Sequence, residues 1–135
     1  MRKLLLTLLI GFSLFASDTE LAIKIYLSIA RACTGKSEPK FYLHGDVKTL
    51  QGTKDITAVY TCEEADIVIL STMEQLPEAC QNKLLFTSRY KIFSKTPEVI
   101  GAFFWQKGRP NIIFRRESLE KHHITLDSTF DKYIE

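Results

Sequence analysis

Glycine and proline are scarce, six and four in 135 residues, which excludes a collagen-like, linker-rich or low-complexity chain. No apolar run approaches the about 20 residues that a membrane-spanning helix needs. The short motifs of common chemistries are also absent: there is no G-x-S-x-G elbow with a Ser-His-Asp order, no H-E-x-x-H, no P-loop and no G-x-G-x-x-G. Three cysteines are too few for a disulfide-built scaffold, and none stands in the C-x-x-C arrangement of a redox thiol. No repeat is present. What remains is a chain that is 45% hydrophobic and 25% charged, the balance of one globular domain.

The formal charge of +2 has a local origin. Arg2 and Lys3 precede the apolar run from Leu4 to Phe12, and Ala16 precedes the polar Ser17-Asp18-Thr19-Glu20. A basic start, an apolar stretch of roughly 12 residues and a small residue before a polar segment form a secretory signal peptide, with residues 1–16 removed near Ala16. The alternative, an uncleaved anchor, is disfavoured by the shortness of the run. Without Arg2 and Lys3 the basic and acidic residues balance, so nonspecific nucleic-acid binding is not expected. Ser17 and not a cysteine stands directly after Ala16, so the expectation is a periplasmic protein of residues 17–135 without a lipid anchor.

Helical spacing of Leu21, Ile25, Ile29 and Ala32 predicts an amphipathic helix over 18–33, with Ser17 and Glu20 in capping-box relation and Gly35 just past its end. Strand-length runs follow at 40–44, 56–60, 66–70 and 84–87. The third is apolar on both faces, as in a central parallel strand. Pro77 suits the first turn of a helix over 73–82 that would cross between the third and fourth strands. Residues 99–106, a turn at Lys107-Gly108-Arg109-Pro110 and a strand over 111–114 predict an antiparallel hairpin. Helices near 116–122 and 128–133 close the chain. This order predicts an α/β three-layer sandwich with a mixed, mostly parallel sheet and a C-terminal antiparallel hairpin.

Cys62 precedes the third strand, and Cys80 ends the segment running back antiparallel to it. Both should lie at one edge of the sheet, which favours a Cys62–Cys80 disulfide; a crosslink from Cys33 to either one is the competing outcome. Cys33 is then a buried thiol or an intermolecular partner.

Among other candidates, His122-His123 suggests a metal, but neighbours on a helix point about 100° apart, and a solvated pair favoured by the helix dipole is the simpler reading. His44-Gly45-Asp46 ends a strand without specifying a geometry. No metal and no cofactor is expected. Residues 55–80 carry six acidic side chains and no basic one, whereas 83–121 carry nine basic and three acidic ones. Segregated charge can steer a partner or organise self-association, unless the two segments adjoin and neutralise each other. Phe103 and Trp105 should face one side of the hairpin, Ala102 and Phe104 the other. Trp105 beside Lys107 and Arg109 combines residue types favoured at binding hot spots.

The residues from Phe41 to Asp46, Cys62 with Ala65–Leu70, Leu84–Thr87, Val99–Phe104, Ile112–Phe114 and the later Leu119 and Ile124-x-Leu126 step resemble the YfiR-like family of small periplasmic proteins. The resemblance implies a regulator that restrains an inner-membrane diguanylate cyclase by contacting its periplasmic sensor region, with dimerisation and disulfides affecting its state. This chain departs from that pattern in having no second cysteine pair near the C-terminus, and Gly108-Arg109-Pro110 replaces a more acidic hairpin.

The functional expectation is a non-enzymatic periplasmic regulatory or sensory protein. It binds an inner-membrane signalling protein, cyclase-like or a sensor kinase, through Trp105, Lys107 and Arg109. The alternative is a small solute-binding module with a pocket at the strand ends around His44, Ser71 and Thr87.

Overall fold

The computed structural model describes the backbone of Arg2–Glu135 and the side chains from Asp18 onward. The side chains of the expected signal peptide, and the cleavage position near Ala16, lie outside those described residues. The first helix, α1 (Arg2–Thr34), continues upstream through Ser17, so the expected capping box is not used as a helix start. Among the described residues no helix is long and apolar enough to cross a membrane.

Helix α1 stops at Gly35, whose φ of +71° is open to a residue without Cβ and whose N–H bonds to Arg31 O at 2.9 Å. Its buried stripe is Ala22, Tyr26, Ile29, Ala30 and Cys33, with Ile23 beside it. This is rotated from the expected face: Leu21 is exposed, and of Leu21, Ile25, Ile29 and Ala32 only Ile29 is buried.

Six strands form one sheet: β1 (Lys40–His44), β2 (Thr57–Ala58), β3 (Ile67–Leu70), β4 (Leu84–Thr87), β5 (Val99–Gln106) and β6 (Arg109–Phe114). Their order is β2-β1-β3-β4-β5-β6, parallel from β2 through β5 and antiparallel for β6 on β5. The α/β sandwich with a mixed, mostly parallel sheet and a C-terminal hairpin is therefore present. Every residue of β3 is buried, because alternate side chains enter cores on opposite faces. Ile67 and Ile69 join α1 on one face, with Phe41, Phe86, Ile100 and Phe114. Val68 and Leu70 join Leu85, Val99 and Phe93 on the other. Each such side chain stabilises the fold by roughly 2 kcal/mol through removal from water.

The second face has thin cover. Helix α2 (Tyr90–Lys95) supplies Phe93, and 3-10 turns at Cys62–Glu64 and Glu78–Cys80 supply the rest. The expected helix over 73–82 is only that second turn. Gln75 has φ of 57° and Pro77 is extended at ψ 146°, so helical hydrogen bonds cannot start until Glu78. The two turns are joined by a Cys62–Cys80 disulfide with Cα atoms 5.1 Å apart, while Cys33 stays free and buried on the inner face of α1. A disulfide fits an oxidising compartment.

Pairing between β4 and β5 slips after Leu85, which faces Val99 while Phe86 faces Gly101, leaving Ile100 as an extra residue. Gly101 has no space for a side chain, since a Cβ there would lie 2.5 Å from Ile113 O. The chain ends with α3 (Arg116–Lys121) and a 3-10 helix over Ser128–Tyr133, where an α-helix was expected. Asp127 caps that last segment by accepting the Thr129 N–H at 2.9 Å.

Candidate interaction site

Trp105, Lys107 and Arg109 are brought together at the end of the β5–β6 hairpin. The turn is tighter than the expected four residues: only Lys107 and Gly108 lie between the strands, both with positive φ, and Arg109 and Pro110 already belong to β6. Positive φ at both central residues matches the twist of the hairpin, and glycine accepts it freely. Lysine does not. The backbone thus holds Lys107 in a disfavoured conformation at the exposed tip. Trp105 sits opposite Pro110 and remains 43% exposed, its inner edge against Phe103 at 5.9 Å between centroids.

β6 is an edge strand. Among the described residues its outer side is hydrogen-bonded only at Phe114, where Ile134 forms a parallel bridge and the Glu135 N–H bonds to Phe114 O at 2.9 Å. Around the unpaired part runs a groove of about 610 Å³ lined on one face by Tyr90, Phe104 and Ile113, and on the other by Trp105, Ile112 and Tyr133. Lys132 and Glu135 stand at its rim. Tyr90 packs on Phe104 with centroids 5.3 Å apart, yet half of Tyr90 is in solvent. Sequence reasoning singled out Trp105 but missed Tyr90, Tyr133 and Lys132. Their signal is weak, because each sits on a helix of only six residues.

Charge follows the sheet order. The acidic residues of 55–80 lie in the turns and loops that flank β2 and β3, whereas the basic ones of 83–121 lie beside β4, on β6 and its hairpin turn, and on or next to α2 and α3. The ion pairs found among the described side chains, Lys36–Asp66 at 2.6 Å and Lys48–Asp46 at 3.8 Å, do not join the two segments. The two fields are therefore spread along the sheet.

The alternative trio is placed differently. His44 ends β1 and Ser71 follows the end of the neighbouring β3, and the Ser71 N–H bonds to His44 O at 3.0 Å. His44 Nε2 lies 2.8 Å from Glu74 O, and its ring stacks on Tyr42. Gly45, at φ +83°, backs so closely onto Ser71 and Thr72 that a Cβ would overlap the Ser71 hydroxyl. Thr87 is wholly buried; its hydroxyl donates to Leu70 O at 2.7 Å and accepts the Arg89 N–H at 3.1 Å. Of the three, the Thr87 hydroxyl is already committed to Leu70 O and the Arg89 N–H.

Neither histidine of the 122–123 pair joins a metal-binding cluster; among the described residues no three His, Cys, Asp or Glu side chains converge. Burial, then the Lys121 charge and His123, hold His122 below the usual histidine range. Burial pushes the Cys33 thiol up to about 12, so it is protonated and unreactive at neutral pH. Comparison with known proteins returned no matching family model, curated protein or solved structure.

Proposed function

We propose that this chain is an exported, non-enzymatic protein-binding module whose β5–β6 hairpin docks on the periplasmic region of an inner-membrane signalling protein, a diguanylate cyclase or sensor kinase. The observation that carries the reading is the hairpin edge itself: an exposed indole, two cations and a groove along strand β6. An indole flanked by cations is the composition of an interface centre. The charge gradient along the sheet supports it by orienting an approaching acidic surface toward that end. The likeness to YfiR-like proteins supplies the kind of partner, and the Cys62–Cys80 crosslink is consistent with residence outside the cytoplasm. Regulation follows if the module binds one state of its partner more tightly than another and so shifts its population.

The test compares the wild-type protein with a Trp105→Ala, Lys107→Ala, Arg109→Ala variant of the same thermal stability. Each is affinity-purified from solubilised inner membranes, with cyclases and kinases quantified by mass spectrometry. The variant should retain less than about a tenth of the specific partner, a loss of at least 1.4 kcal/mol. Equal retention by the two proteins would overturn the assignment of this face.

A further inference from the structure

The way in which the hairpin holds a partner is written in its backbone. Because Phe114 O accepts a bond from outside the hairpin, alternation along an antiparallel strand turns the Ile112 N–H and C=O and the Pro110 C=O toward the same open side. Pro110 has no N–H to leave unsatisfied there, as edge strands require. Ile134 pairs with this side at Phe114, and among the described residues no backbone group pairs with it along Arg109–Ile113. Unpaired strand groups select an extended chain as their occupant, and side chains alternating from that chain would enter the Tyr90–Phe104 side and the Trp105–Tyr133 side of the groove in turn.

Charge selects among extended chains. Lys107, Arg109 and Lys132 surround the open stretch, with Glu135 as the single counter-charge at the groove. A second copy pairing through its own β6 would add another Lys107 and Arg109 to the same rim, so the edge disfavours self-addition. Resting on the partner-binding reading above, we infer that the protein captures an acidic extended segment of its partner as an added strand alongside β6, paired through Pro110 and Ile112.

The experiment uses the purified protein and a labelled nine-residue probe peptide that alternates Val or Ile with Asp or Glu, next to a version with Lys in place of each acid. Binding is read by fluorescence anisotropy, and amide exchange by NMR. The acidic peptide is expected to bind, to weaken at least tenfold between low and physiological salt, and to slow exchange of the Ile112 amide at least tenfold. The Lys version should not bind. Ile112→Pro removes the outward N–H without touching the ladder to β5, and should weaken the acidic peptide at least tenfold. Ile112→Val, which keeps the N–H, should bind as wild type and so controls for lost packing. Absence of acidic-peptide binding, binding with Ile112 exchange unchanged, or an Ile112 amide already protected by dimerisation would each overturn strand addition. Those results leave the triple-alanine comparison standing, so failure of this binding mode is distinguishable from failure of the docking face.

Discussion

The guanidinium of Arg115 lies 4.1 Å above the ring of Phe93 and also donates to the carbonyl of that same residue. Further bonds reach Val99 O at 2.7 Å and Thr96 O at 3.3 Å. One side chain thus ties the end of α2 to the start of β5, satisfying carbonyls that a six-residue helix leaves open. Lysine carries the same charge but lacks the planar fork. Arg115→Lys should therefore lower stability by about 2 kcal/mol, from lost charge-assisted hydrogen bonds. Urea denaturation reads this directly; a loss below half that size would mean that the α2 carbonyls are served as well by water.

The Cys62–Cys80 crosslink closes a loop with a sequence separation of 18. Constraint on the unfolded chain contributes about 3 kcal/mol for a loop of this size. Reduction, or a Cys62→Ala, Cys80→Ala variant, should lower the urea midpoint accordingly, and non-reducing peptide mapping should find the 62–80 link. Cys33 should resist alkylation in the native protein and react only on unfolding, because its thiol is buried and protonated.

Asp66 sets an acid limit. Burial opposes its ionisation, but the Lys36 ammonium at 2.6 Å, the Lys40 N–H at 2.8 Å and the charges of both lysines together hold its carboxyl below the usual carboxylate range. A folded value lower than the unfolded one gives stability that is fully present above the unfolded pKa, near 4, and lost as pH falls through the folded value. Asp66→Asn should remove that acid-side loss and cost about 1 kcal/mol at pH 7. Paired urea titrations at pH 7 and pH 3 measure both; an unchanged pH dependence would remove Asp66 from the account.

Lys107 offers a case where stability and binding should separate. Its φ of 53° is one that glycine takes without the Cβ clash. Lys107→Gly is expected to stabilise the fold by up to about 1 kcal/mol while weakening capture of the acidic probe peptide. Thermal melts and anisotropy on one preparation decide it. A variant that is more stable and binds equally well would show that Lys107 is merely a tolerated turn residue.

Most of the sheet was legible because its signals are local. The all-apolar Ile67–Leu70 could only be a strand covered on both faces, and the alternation from Ala102 to Trp105 placed the indole correctly. The cysteine pair followed from strand polarity, since Cys62 stands before β3 and Cys80 near the end of the connection that runs back from β3 to β4. Elements of one or two turns were illegible. Tyr90–Lys95 is too short to show a period, and Met73–Pro77 has helix-like spacing but a positive φ at Gln75 that spacing does not report. The face of α1 was misjudged because Leu21 looks like core, whereas Ala22 fits the close approach to the sheet. The interaction groove was half visible for a related reason: Trp105 stands in a strand, but Tyr90 and Tyr133 reach the same edge only through tertiary folding.

The contact between Tyr26 and Phe103, 5.1 Å between ring centroids, has a consequence in time. It joins the first element of the chain to the fifth strand, so the cover that α1 gives to the sheet, begun on Phe41, Ile67, Ile69 and Phe86, is completed only when the last third of the protein is in place. Native contacts so distant along the chain form slowly. The α1 face of the core therefore closes late, after the strands it covers have all been made.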